Sequence, residues 1–307
     1  NPGEGVWRSN VMLISDTNPT TANSTIEFND AAGVEGNGLA PELMTSEHDT
    51  SGEGTYSDIP TSGFTTNGKT YAWFQSVGNW DQVKIGDQVI QDWATNDSYL
   101  GVSDDGGNTF KRTTVKFEND DANSDSLQMV SAAVDETTDE VYMTSTKAGR
   151  QVSGIMLSKV KTGDVENQTA YQYWTGTGWS NNQEDARSLF GEQDKIAETS
   201  LMGIKGKNGL AGEEGFAISY LKPDEGVIVT RYADSPDGKW SEEKVQVTAE
   251  QMPNLYGGFI HPDSKNGKLT LIVSSWVRPG QSAPGDPGRY DTSQFSGTLG
   301  KPVSIKI

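Results

Sequence analysis

Closely spaced β-hairpin signals restrict the possible folds of this 307-residue chain more than any other feature. The stretch "TTNGKTYAWF" places Asn67-Gly68 between two apolar runs, and "HPDSKNGKLTLIVSSW" places Asn266-Gly267 in the same way. The stretch "AAVDETTDEVYMTS" has a similar form, with a turn near residues 136–139. Asn-Gly suits the type I′ turn that joins adjacent antiparallel strands, so each stretch predicts a hairpin.

The hairpins recur at a regular interval. Strands are expected to open near Ile59, Met129, Glu198 and Phe259, with spacings of 70, 69 and 61 residues. Repeated units built from β-hairpins are typical of propeller blades. We therefore predict an all-β, five-bladed β-propeller that forms a single domain over residues 1–307, with a first blade that lacks its inner strands. A two-sheet sandwich would account for the strands but not for their spacing.

Three stretches interrupt the hairpin pattern. Residues 29–55 are rich in Gly, Asn and Glu, which predicts one long surface loop. The stretch "VRPGQSAPGDPGRYDTSQFSG", residues 277–297, contains several prolines and glycines, and we expect it to lie outside any sheet interior. The best candidate for a helix is "GDQVIQDWA", residues 86–94, and it is short.

The composition excludes several classes of protein. The chain contains no cysteine, so disulfides, thiolate metal ligands and a cysteine nucleophile are excluded. A net charge of −19 opposes binding to nucleic acid and to anionic membrane surfaces. Two histidines do not suffice for a His-rich zinc centre, and no apolar run is long enough to span a bilayer. We expect a monomer with no cofactor, no metal site, no nucleic-acid partner and no membrane insertion.

The stretch "GVSDDGGNTF", residues 101–110, looks like an active-site loop because two aspartates and two glycines stand beside an aromatic residue. Its Ser-x-Asp-x-Gly-x-Thr-Phe pattern fits the Asp box, in which the Ser and Asp side chains bond to the turn backbone. A calcium site would need more oxygen ligands, and adjacent catalytic acids would point to opposite faces of a strand. We predict a structural turn between the third and fourth strands of a blade, with a degenerate copy in "SPDGKW", residues 235–240.

Six phrases along the chain carry a family resemblance. In order, they are "VWRSNVMLIS" (6–15), "IPTSGFTTNGKTYAWFQSVGNW" (59–80), "DWATNDSYLGVSDDGGNTF" (92–110), "TAYQYWTGTGWS" (169–180), "VIVTRYADSPDGKWS" (227–241) and "YGGFIHPDSKNGKLTLIVSSW" (256–276). The ordered set resembles the secreted actinobacterial five-bladed propellers that include endo-D-arabinanases. The resemblance implies a secreted or cell-envelope-associated glycoside hydrolase. Its substrate would be a polysaccharide, the cell-wall arabinan of arabinogalactan or lipoarabinomannan, cleaved at α-D-arabinofuranosyl linkages.

One part of the family pattern is absent. Members of the family carry a segment before the Trp-Arg-Ser-Asn phrase, and its aspartates are the best candidates for their catalytic pair. Here the phrase already begins at Trp7. We therefore expect the principal catalytic aspartates to lie upstream of Asn1, and we expect a chain without them to be catalytically inert.

Glycoside hydrolysis needs two carboxyl groups across the scissile bond, and a propeller binds its ligand where the inner strands begin. Glu198 is the candidate catalytic residue because the family has a Gly-Glu-x-Ser phrase here, although Ala197 replaces the glycine. A solvated loop glutamate is the alternative. Asp58, Gln128 and His261 stand at the corresponding positions of other blades and are candidate substrate-binding residues. A structural histidine bonded to a neighbouring blade is the alternative for His261.

Further candidate substrate-binding residues carry several donors or a flat ring. Arg8 and Asn10 lie in the "VWRSN" phrase and Arg150 in "KAGRQ"; the two arginines can donate to sugar hydroxyls or form interblade salt bridges. Trp80 and Trp93 are candidate stacking platforms because a hydrophilic loop separates them. The other tryptophans are expected to pack between blades.

Other functions stay open. A noncatalytic carbohydrate-binding or cell-envelope propeller would keep the fold and lack the acids. A protein-interaction propeller is disfavoured by the acidic charge and by the absence of a strict short repeat. A sialidase would need an arginine triad with a Tyr/Glu nucleophile pair, which the sequence does not supply.

Overall fold

The computed structural model consists of β-strands and short 3-10 turns in two compact units. The N-terminal unit contains Arg8–Ile14 and Phe28–Ala197, and the C-terminal unit contains Ser15–Glu27 and Glu198–Ile307. The structure describes residues 8–17, 25–33, 38–119, 126–191, 194–204, 215–262, 264, 269–278, 280–282, 286, 288–297 and 304–305. None of these ranges contains a helix that is long and apolar enough to cross a membrane.

The described residues that precede Ser57 form little regular structure in the N-terminal unit. Strands β1 (Leu13–Ile14) and β2 (Asp30–Ala31) have two residues each and pair in antiparallel fashion. Leu43 and Met44 are nevertheless buried in an apolar cluster with the first large sheet. The prediction of a surface loop over residues 29–55 is therefore wrong for this part, because its apolar side chains cover one face of that sheet.

The first large sheet has the antiparallel strand order β3-β4-β7-β8. Its strands and the hairpin inserted between β4 and β7 are β3 (Ser57–Thr66), β4 (Lys69–Asn79), β5 (Val83–Ile85), β6 (Gln88–Gln91), β7 (Ala94–Ser103) and β8 (Lys111–Glu118). Asn67 and Gly68 join β3 to β4 with φ angles of 50° and 74°, as a type I′ turn requires. The hairpin predicted at this Asn-Gly pair is confirmed.

The stretch that sequence periodicity favours as a helix is a strand instead. Strand β6 pairs with β5 around Gly86, which has a φ of 60°. Such a backbone conformation favours glycine and closes a tight turn, so the chain doubles back before a helical turn can form. The expected helix over residues 86–94 is therefore wrong.

The second sheet of the N-terminal unit has the order β13-β12-β11-β10-β9. Its strands are β9 (Gln128–Asp135), β10 (Glu140–Thr146), β11 (Met156–Lys161), β12 (Gln172–Trp174) and β13 (Trp179–Ser180). The turn predicted near residues 136–139 connects β9 to β10 and is confirmed. Asp135 holds this turn, because its carboxylate accepts hydrogen bonds from the backbone and hydroxyl of Thr137 at 2.9 and 2.6 Å.

The two sheets of the N-terminal unit share one apolar core. Trp73 of the first sheet stacks on Phe117 with ring centroids 5.4 Å apart, and both are almost fully buried. Tyr171 and Tyr173, which flank or lie in β12, meet the edge of the Phe117 ring. Each large apolar side chain buried in this way contributes roughly 1.5–3 kcal/mol of transfer free energy. These aromatic side chains therefore contribute to the packing between the two sheets of the N-terminal unit.

The C-terminal unit contains two antiparallel sheets of four strands each, with orders β14-β15-β16-β17 and β18-β19-β20-β21. Their strands are β14 (Ala197–Ile204), β15 (Gly215–Lys222), β16 (Val227–Ala233), β17 (Lys244–Thr248), β18 (Leu255–Ile260), β19 (Leu269–Val277), β20 (Arg289–Gly297) and β21 (Ser304–Ile305). The corner predicted at Asn266-Gly267 lies outside the described residues. The strands on either side of it, β18 and β19, pair as a hairpin would require.

Strand β20 corrects the prediction that residues 277–297 stay out of a sheet. It pairs with β19 along nine residues and with β21 on its other side. The prolines of the stretch all precede Arg289, and Phe295 beyond them is buried. Only the first part of the stretch is therefore excluded from the sheet by its prolines.

The described residues form four blade-like sheets instead of the predicted five. Predicted strand openings near Ile59, Met129 and Glu198 agree within two residues with β3, β9 and β14. The fourth opens at Leu255, four residues before the predicted position, because Gly257 and Gly258 are part of the strand. The chain before residue 57 supplies no fifth sheet in the part described, since it lacks runs of alternating apolar residues.

The loop at residues 101–110 is a turn held by side-chain hydrogen bonds. It joins β7 to β8, the third and fourth strands of the first sheet. The Asp105 carboxylate accepts hydrogen bonds from the backbone N–H and the hydroxyl of Thr109, at 2.9 and 2.7 Å. Phe110 packs below against Phe74, and the side chain of Asp104 is exposed. The turn at residues 235–240, between β16 and β17, likewise joins Ser235 to Asp237 and buries Trp240.

Candidate functional site

Glu198 lies near the start of β14, and its side chain rests on bare backbone of the neighbouring sheet. A Cβ atom placed on Gly257 would be 3.3 Å from both Cβ and Cγ of Glu198. This contact is tight, so the absence of a side chain at Gly257 leaves the space that the Glu198 stem occupies. Glu198 is half-buried, whereas Ala197 before it and Thr199 after it are buried. Glu198 therefore lies in a packed strand and not in a solvated loop.

The first strands of the two C-terminal sheets run side by side in the same direction. The backbone N–H of Ile260 donates a hydrogen bond to the Ser200 hydroxyl at 3.0 Å, two and three residues beyond the contact between Glu198 and Gly257. The serine of "AETSLMG" thus has a structural role, and the glutamate stands at the opening of the strand. Glu198 and Ser200 are two residues apart, so both side chains lie on the face of β14 that meets β18.

His261 lies at the other end of the first strand of its sheet. It directly follows the last residue of β18, and its backbone N–H donates to the Thr270 carbonyl at 2.9 Å. Four residues separate it from Gly257, which corresponds to about 13 Å of extended chain. The structure therefore does not bring His261 together with Glu198 at the opening of β14.

Asp58 opens the first sheet of the N-terminal unit and belongs to a buried polar network. Its carboxylate accepts a hydrogen bond from the Tyr99 hydroxyl at 2.7 Å, and its backbone N–H donates to the Ser46 hydroxyl at 3.1 Å. The Asn10 amide donates to the Asp58 carbonyl and to the Met44 carbonyl, both at 2.9 Å. The structure thus brings together two of the predicted residues, Asn10 and Asp58, with Asn10 bonded to backbone.

The sequence interpretation missed three members of this network. Asp97 is paired with Arg112, and the Arg112 guanidinium lies 3.9 Å from the centroid of the Tyr99 ring. Asp58 and Asp97 are in register with the same residue of β4, Ser76, so their side chains share one face of the sheet. Asp97 and Tyr99 are two residues apart, a spacing that predicts side chains on the same face of a strand. This signal could have linked the two residues, but it does not reveal that β7 is two strands away from β3.

Burial controls the protonation behaviour of the two carboxyl groups. It raises the pKa of Asp58, against the opposing effect of the hydrogen bond from Tyr99. It also raises the pKa of Asp97, against the opposing charge of Arg112. The same burial, with the nearby Asp58 charge, holds the pKa of Tyr99 far above its ordinary range. The Tyr99 hydroxyl therefore keeps its proton and donates a hydrogen bond to the Asp58 carboxylate.

Trp80, Trp93 and Arg150 meet in a second group of the N-terminal unit. The two indole rings have centroids 5.8 Å apart, and the Arg150 guanidinium lies 5.6 Å from the Trp93 ring centroid. Arg150 also faces the Asp92 carboxylate, with 3.9 Å between Nη1 and Oδ2. Trp80 is 40% exposed, whereas Trp93 is only 4% exposed. Of the two predicted platforms, only Trp80 therefore offers a wide accessible surface.

A glycine allows Arg150 to approach Trp93. Gly149 has a φ of 70°, and a Cβ placed on it would be 2.3 Å from the Trp93 carbonyl oxygen. The backbone N–H of Asp92 donates to the Gly149 carbonyl at 2.8 Å. This close backbone contact holds the short 3-10 turn at Ala148–Arg150 against the segment that connects β6 to β7.

Gln128 and Arg8 lie apart from these groups. Gln128 is fully buried; its amide accepts from the Thr95 hydroxyl at 3.1 Å and donates to the Phe117 carbonyl at 3.0 Å. Arg8 is exposed and donates to the Ala40 carbonyl at 3.3 Å. In the ranges that the structure covers, three or more His, Cys, Asp or Glu side chains nowhere form a group that could hold a metal ion.

Solved structures with a similar fold include glycoside hydrolases. An exo-β-1,3-galactanase from Phanerochaete chrysosporium, determined with β-1,3-galactotriose, has a TM-score of 0.52 at 9% sequence identity, over 92% of this chain and 53% of its own length. A candidate hydrolase from Bacteroides ovatus has a TM-score of 0.51 at 14% identity, over 78% of this chain and 60% of its own. This chain thus spans between half and two thirds of these proteins. The likeness defines the class of fold, an all-β fold of small propeller-like sheets that glycoside hydrolases share.

The chain belongs to the family described as "Domain of unknown function (DUF4185)", which its residues 1–296 match. Notoamide biosynthesis cluster protein J′ of Aspergillus versicolor is 36% identical over 304 residues, which cover 95% of this chain and 78% of that protein. Notoamide biosynthesis cluster protein J of Aspergillus sp. (strain MF297-2) is 35% identical over 312 residues, with the same coverage. These two relatives are fungal, and the resemblance to actinobacterial endo-D-arabinanases stays a prediction.

Proposed function

We propose that this protein is a glycoside hydrolase of the endo-D-arabinanase type, which cleaves α-D-arabinofuranosyl linkages in the arabinan of arabinogalactan or lipoarabinomannan. The observation that carries the proposal is the position of Glu198. Glu198 is half-buried at the opening of the first strand of a blade-like sheet, and its Cβ and Cγ atoms pack against Gly257. A glutamate whose stem is held in this way suits general acid–base chemistry, because the side chain is positioned without a bound substrate.

Hydrolysis of a glycosidic bond needs a second carboxyl group. In this proposal Glu198 acts as the acid or base at the glycosidic oxygen or at the attacking water. The second group belongs to the aspartates that the family resemblance places before the Trp-Arg-Ser-Asn phrase. The shared fold with a galactanase that was determined with a trisaccharide supports a carbohydrate substrate and leaves the identity of the sugar to experiment.

The group formed by Trp80, Trp93 and Arg150 is proposed as a contact site for the polysaccharide. The exposed Trp80 ring supplies an apolar face for the C–H surface of a sugar, and the guanidinium of Arg150 supplies hydrogen-bond donors. Because arabinan is a polymer of the cell envelope, we propose that the protein acts as a secreted or envelope-associated monomer.

A noncatalytic carbohydrate-binding protein is the second candidate, and one observation favours it. Asp58, the carboxylate at the opening of the first sheet, is 5% exposed and bonded to Tyr99. Its carboxyl group is therefore engaged within the N-terminal unit. A protein that binds arabinan through Trp80 without cleaving it would need no accessible acid at that position.

The decisive experiment is incubation of the full-length protein with arabinogalactan, followed by measurement of the released oligosaccharides. Release by the wild type and its loss in Glu198→Gln, at an unchanged melting temperature, would support catalysis by Glu198. The matched control is Glu53→Gln, since Glu53 is an exposed glutamate of the N-terminal unit. If the folded wild type binds the polymer and releases nothing, the binding function replaces the enzymatic one. An equal loss of activity and stability in Glu198→Gln would make Glu198 structural.

A further inference from the structure

Three aromatic side chains meet at the opening of β18 in the C-terminal unit, and we call this group the aromatic corner. Its members are Tyr256 on β18, Trp276 on β19 and Tyr290 on β20. The Tyr256 ring meets Trp276 edge to face at a centroid distance of 5.5 Å, and it meets Tyr290 at 5.7 Å. The interplanar angles are 88° and 75°, so the Tyr256 ring stands nearly perpendicular to both partners.

A β-bulge creates this arrangement. The pairing of β18 with β19 shifts between Leu255 and Gly257, which leaves Tyr256 as the extra residue. Trp276 and Tyr290 are direct cross-strand partners, so their side chains lie on the same face of the sheet. Bulges turn a side chain out of the regular alternation and are frequent beside binding sites. The bulge here directs Tyr256 towards the pair on the two following strands.

The charged side chain of Arg278 completes the corner. The Arg278 guanidinium lies 5.2 Å from the centroid of the Trp276 ring. The backbone of Arg278 is held by the Gln281 side chain at 2.9 Å, and Gln281 donates in turn to the Asn254 side chain at 2.8 Å. The loop that carries Arg278 is thereby tied to the residue next to Leu255. The corner thus combines flat apolar surface with hydrogen-bond donors in a preorganised position.

The exposure of the corner distinguishes it from core packing. Tyr290 is 57% exposed, more than any other large aromatic residue in the parts of the chain that the structure covers, and Tyr256 and Trp276 are half-buried. The aromatic residues that join the sheets of the N-terminal unit, such as Trp73 and Phe117, are almost fully buried. A ring that served only to stabilise the fold would gain more by burial.

Glu198 is a direct neighbour of the corner. Its Cβ and Cγ atoms pack on Gly257, the residue that follows Tyr256 along the chain. The candidate catalytic carboxyl group and the aromatic rings therefore share the opening of one strand. This contact lies within the C-terminal unit.

We propose that the aromatic corner is a glycosyl-binding subsite adjacent to Glu198, and this inference rests on the proposed carbohydrate function. The ligand is one neutral sugar residue of an oligosaccharide. Its C–H face stacks on the exposed ring of Tyr290, while the guanidinium of Arg278 donates to its hydroxyl groups. A neutral sugar suits the corner because aromatic faces attract C–H groups and because the strong negative charge of the protein disfavours an anionic ligand.

Binding is best measured in a Glu198→Gln background, in which the probe is not consumed. The probes are oligoarabinofuranosides prepared from arabinogalactan by mild acid, and β-1,3-galactotriose as a second sugar. Tyr290→Ala should weaken calorimetric binding of the oligoarabinofuranoside roughly tenfold, the effect of losing one stacked ring. Tyr290→Phe keeps the ring and should stay within about threefold of the parent. The matched control is Phe28→Ala, since Phe28 is an aromatic residue of similar exposure, 55%, in the other unit.

The outcomes separate this inference from the proposed enzymatic function. The subsite is supported if Tyr290→Ala weakens binding and neither Tyr290→Phe nor Phe28→Ala does. This holds even if the wild type releases no product and the enzymatic function fails. Unchanged binding in a folded Tyr290→Ala variant overturns the subsite, even if the wild type is an active hydrolase. The absence of binding of either probe to the folded parent also overturns it. Tighter binding of galactotriose than of the oligoarabinofuranoside would support the subsite and contradict arabinan as the substrate.

Discussion

Glu198 and Gly257 form a complementary pair across two neighbouring strands: the glutamate stem lies where a side chain on Gly257 would begin. The Cβ position of Gly257 is 3.3 Å from both Cβ and Cγ of Glu198. The pair links the candidate catalytic group to the strand that carries the aromatic corner, so a change at the glycine tests the function of the glutamate without altering its chemistry.

Gly257→Ala should displace the Glu198 side chain by a few tenths of an ångström and lower the hydrolytic rate much more than the stability. The φ angle at Gly257 is one that alanine can adopt, so backbone strain does not contribute. Activity on arabinogalactan and the melting temperature are measured together. Gly163→Ala is the control, because a Cβ on Gly163 meets nothing within 4 Å. An active Gly257→Ala protein would show that the position of Glu198 is not critical.

Asp58→Asn should change how stability depends on pH. Burial raises the pKa of Asp58 above the ordinary value of 3.8, so the folded state favours the protonated form. Its contribution to stability is complete below that value and is lost as the pH rises through the raised pKa of the folded state. The variant keeps an acceptor for the Tyr99 hydroxyl and carries no charge. Its stability relative to the wild type should therefore increase as the pH rises.

The free energy of unfolding in urea, measured at several pH values from about 4 to 8, checks this prediction. The control is the exposed Asp81, changed to Asn. Parallel pH profiles for the wild type and Asp58→Asn would contradict a raised pKa. If the wild type instead gained stability relative to Asp58→Asn as the pH rises, the pH dependence would have the opposite sign to the one predicted.

Asp105→Ala should lower the melting temperature of the N-terminal unit and leave activity per folded molecule unchanged. Hydrogen bonds from Ser103 and Thr109 lower the pKa of Asp105, so its stabilising effect is present above the ordinary value of 3.8 and is lost as the pH falls. The difference in melting temperature between Asp105→Ala and the wild type should therefore become smaller as the pH falls. Asp104→Ala, at the exposed neighbouring position, is the control, and equal effects of the two changes on thermal denaturation would refute a specific structural function of Asp105.

The neighbouring tryptophans of the N-terminal unit should respond differently to truncation. Trp93→Ala opens a cavity beside Val77 and Met129, and we expect a loss of roughly 3–5 kcal/mol in the free energy of unfolding. Trp80→Ala removes a partly exposed ring and should cost much less stability, but it should weaken binding to arabinan. Denaturation curves and polysaccharide binding are measured for both variants. Strong destabilisation by Trp80→Ala with unchanged binding would assign Trp80 to packing only.

Local sequence patterns determine the strands and turns of this protein. Asn67-Gly68 specifies its turn because both residues tolerate a positive φ, and Asp105 specifies the turn at residues 101–110 through hydrogen bonds to residues only a few positions away. Such interactions depend on short-range geometry. The spacing of the strand openings likewise predicts three of the four blade-like sheets closely, since each sheet is a meander whose strands follow one another along the chain.

Interactions between distant parts of the chain were decided only by the tertiary structure. The number of sheets, the burial of Leu43 and Met44, and the pairing of Asp58 with Tyr99 depend on which faces meet, and sequence periodicity does not contain that information. The sequence identified Glu198 as a candidate, but not its contact with Gly257 or the convergence of Tyr256, Trp276 and Tyr290. A bulge and a cross-strand register place these rings together. Both depend on the register between neighbouring strands, which the local sequence pattern does not specify.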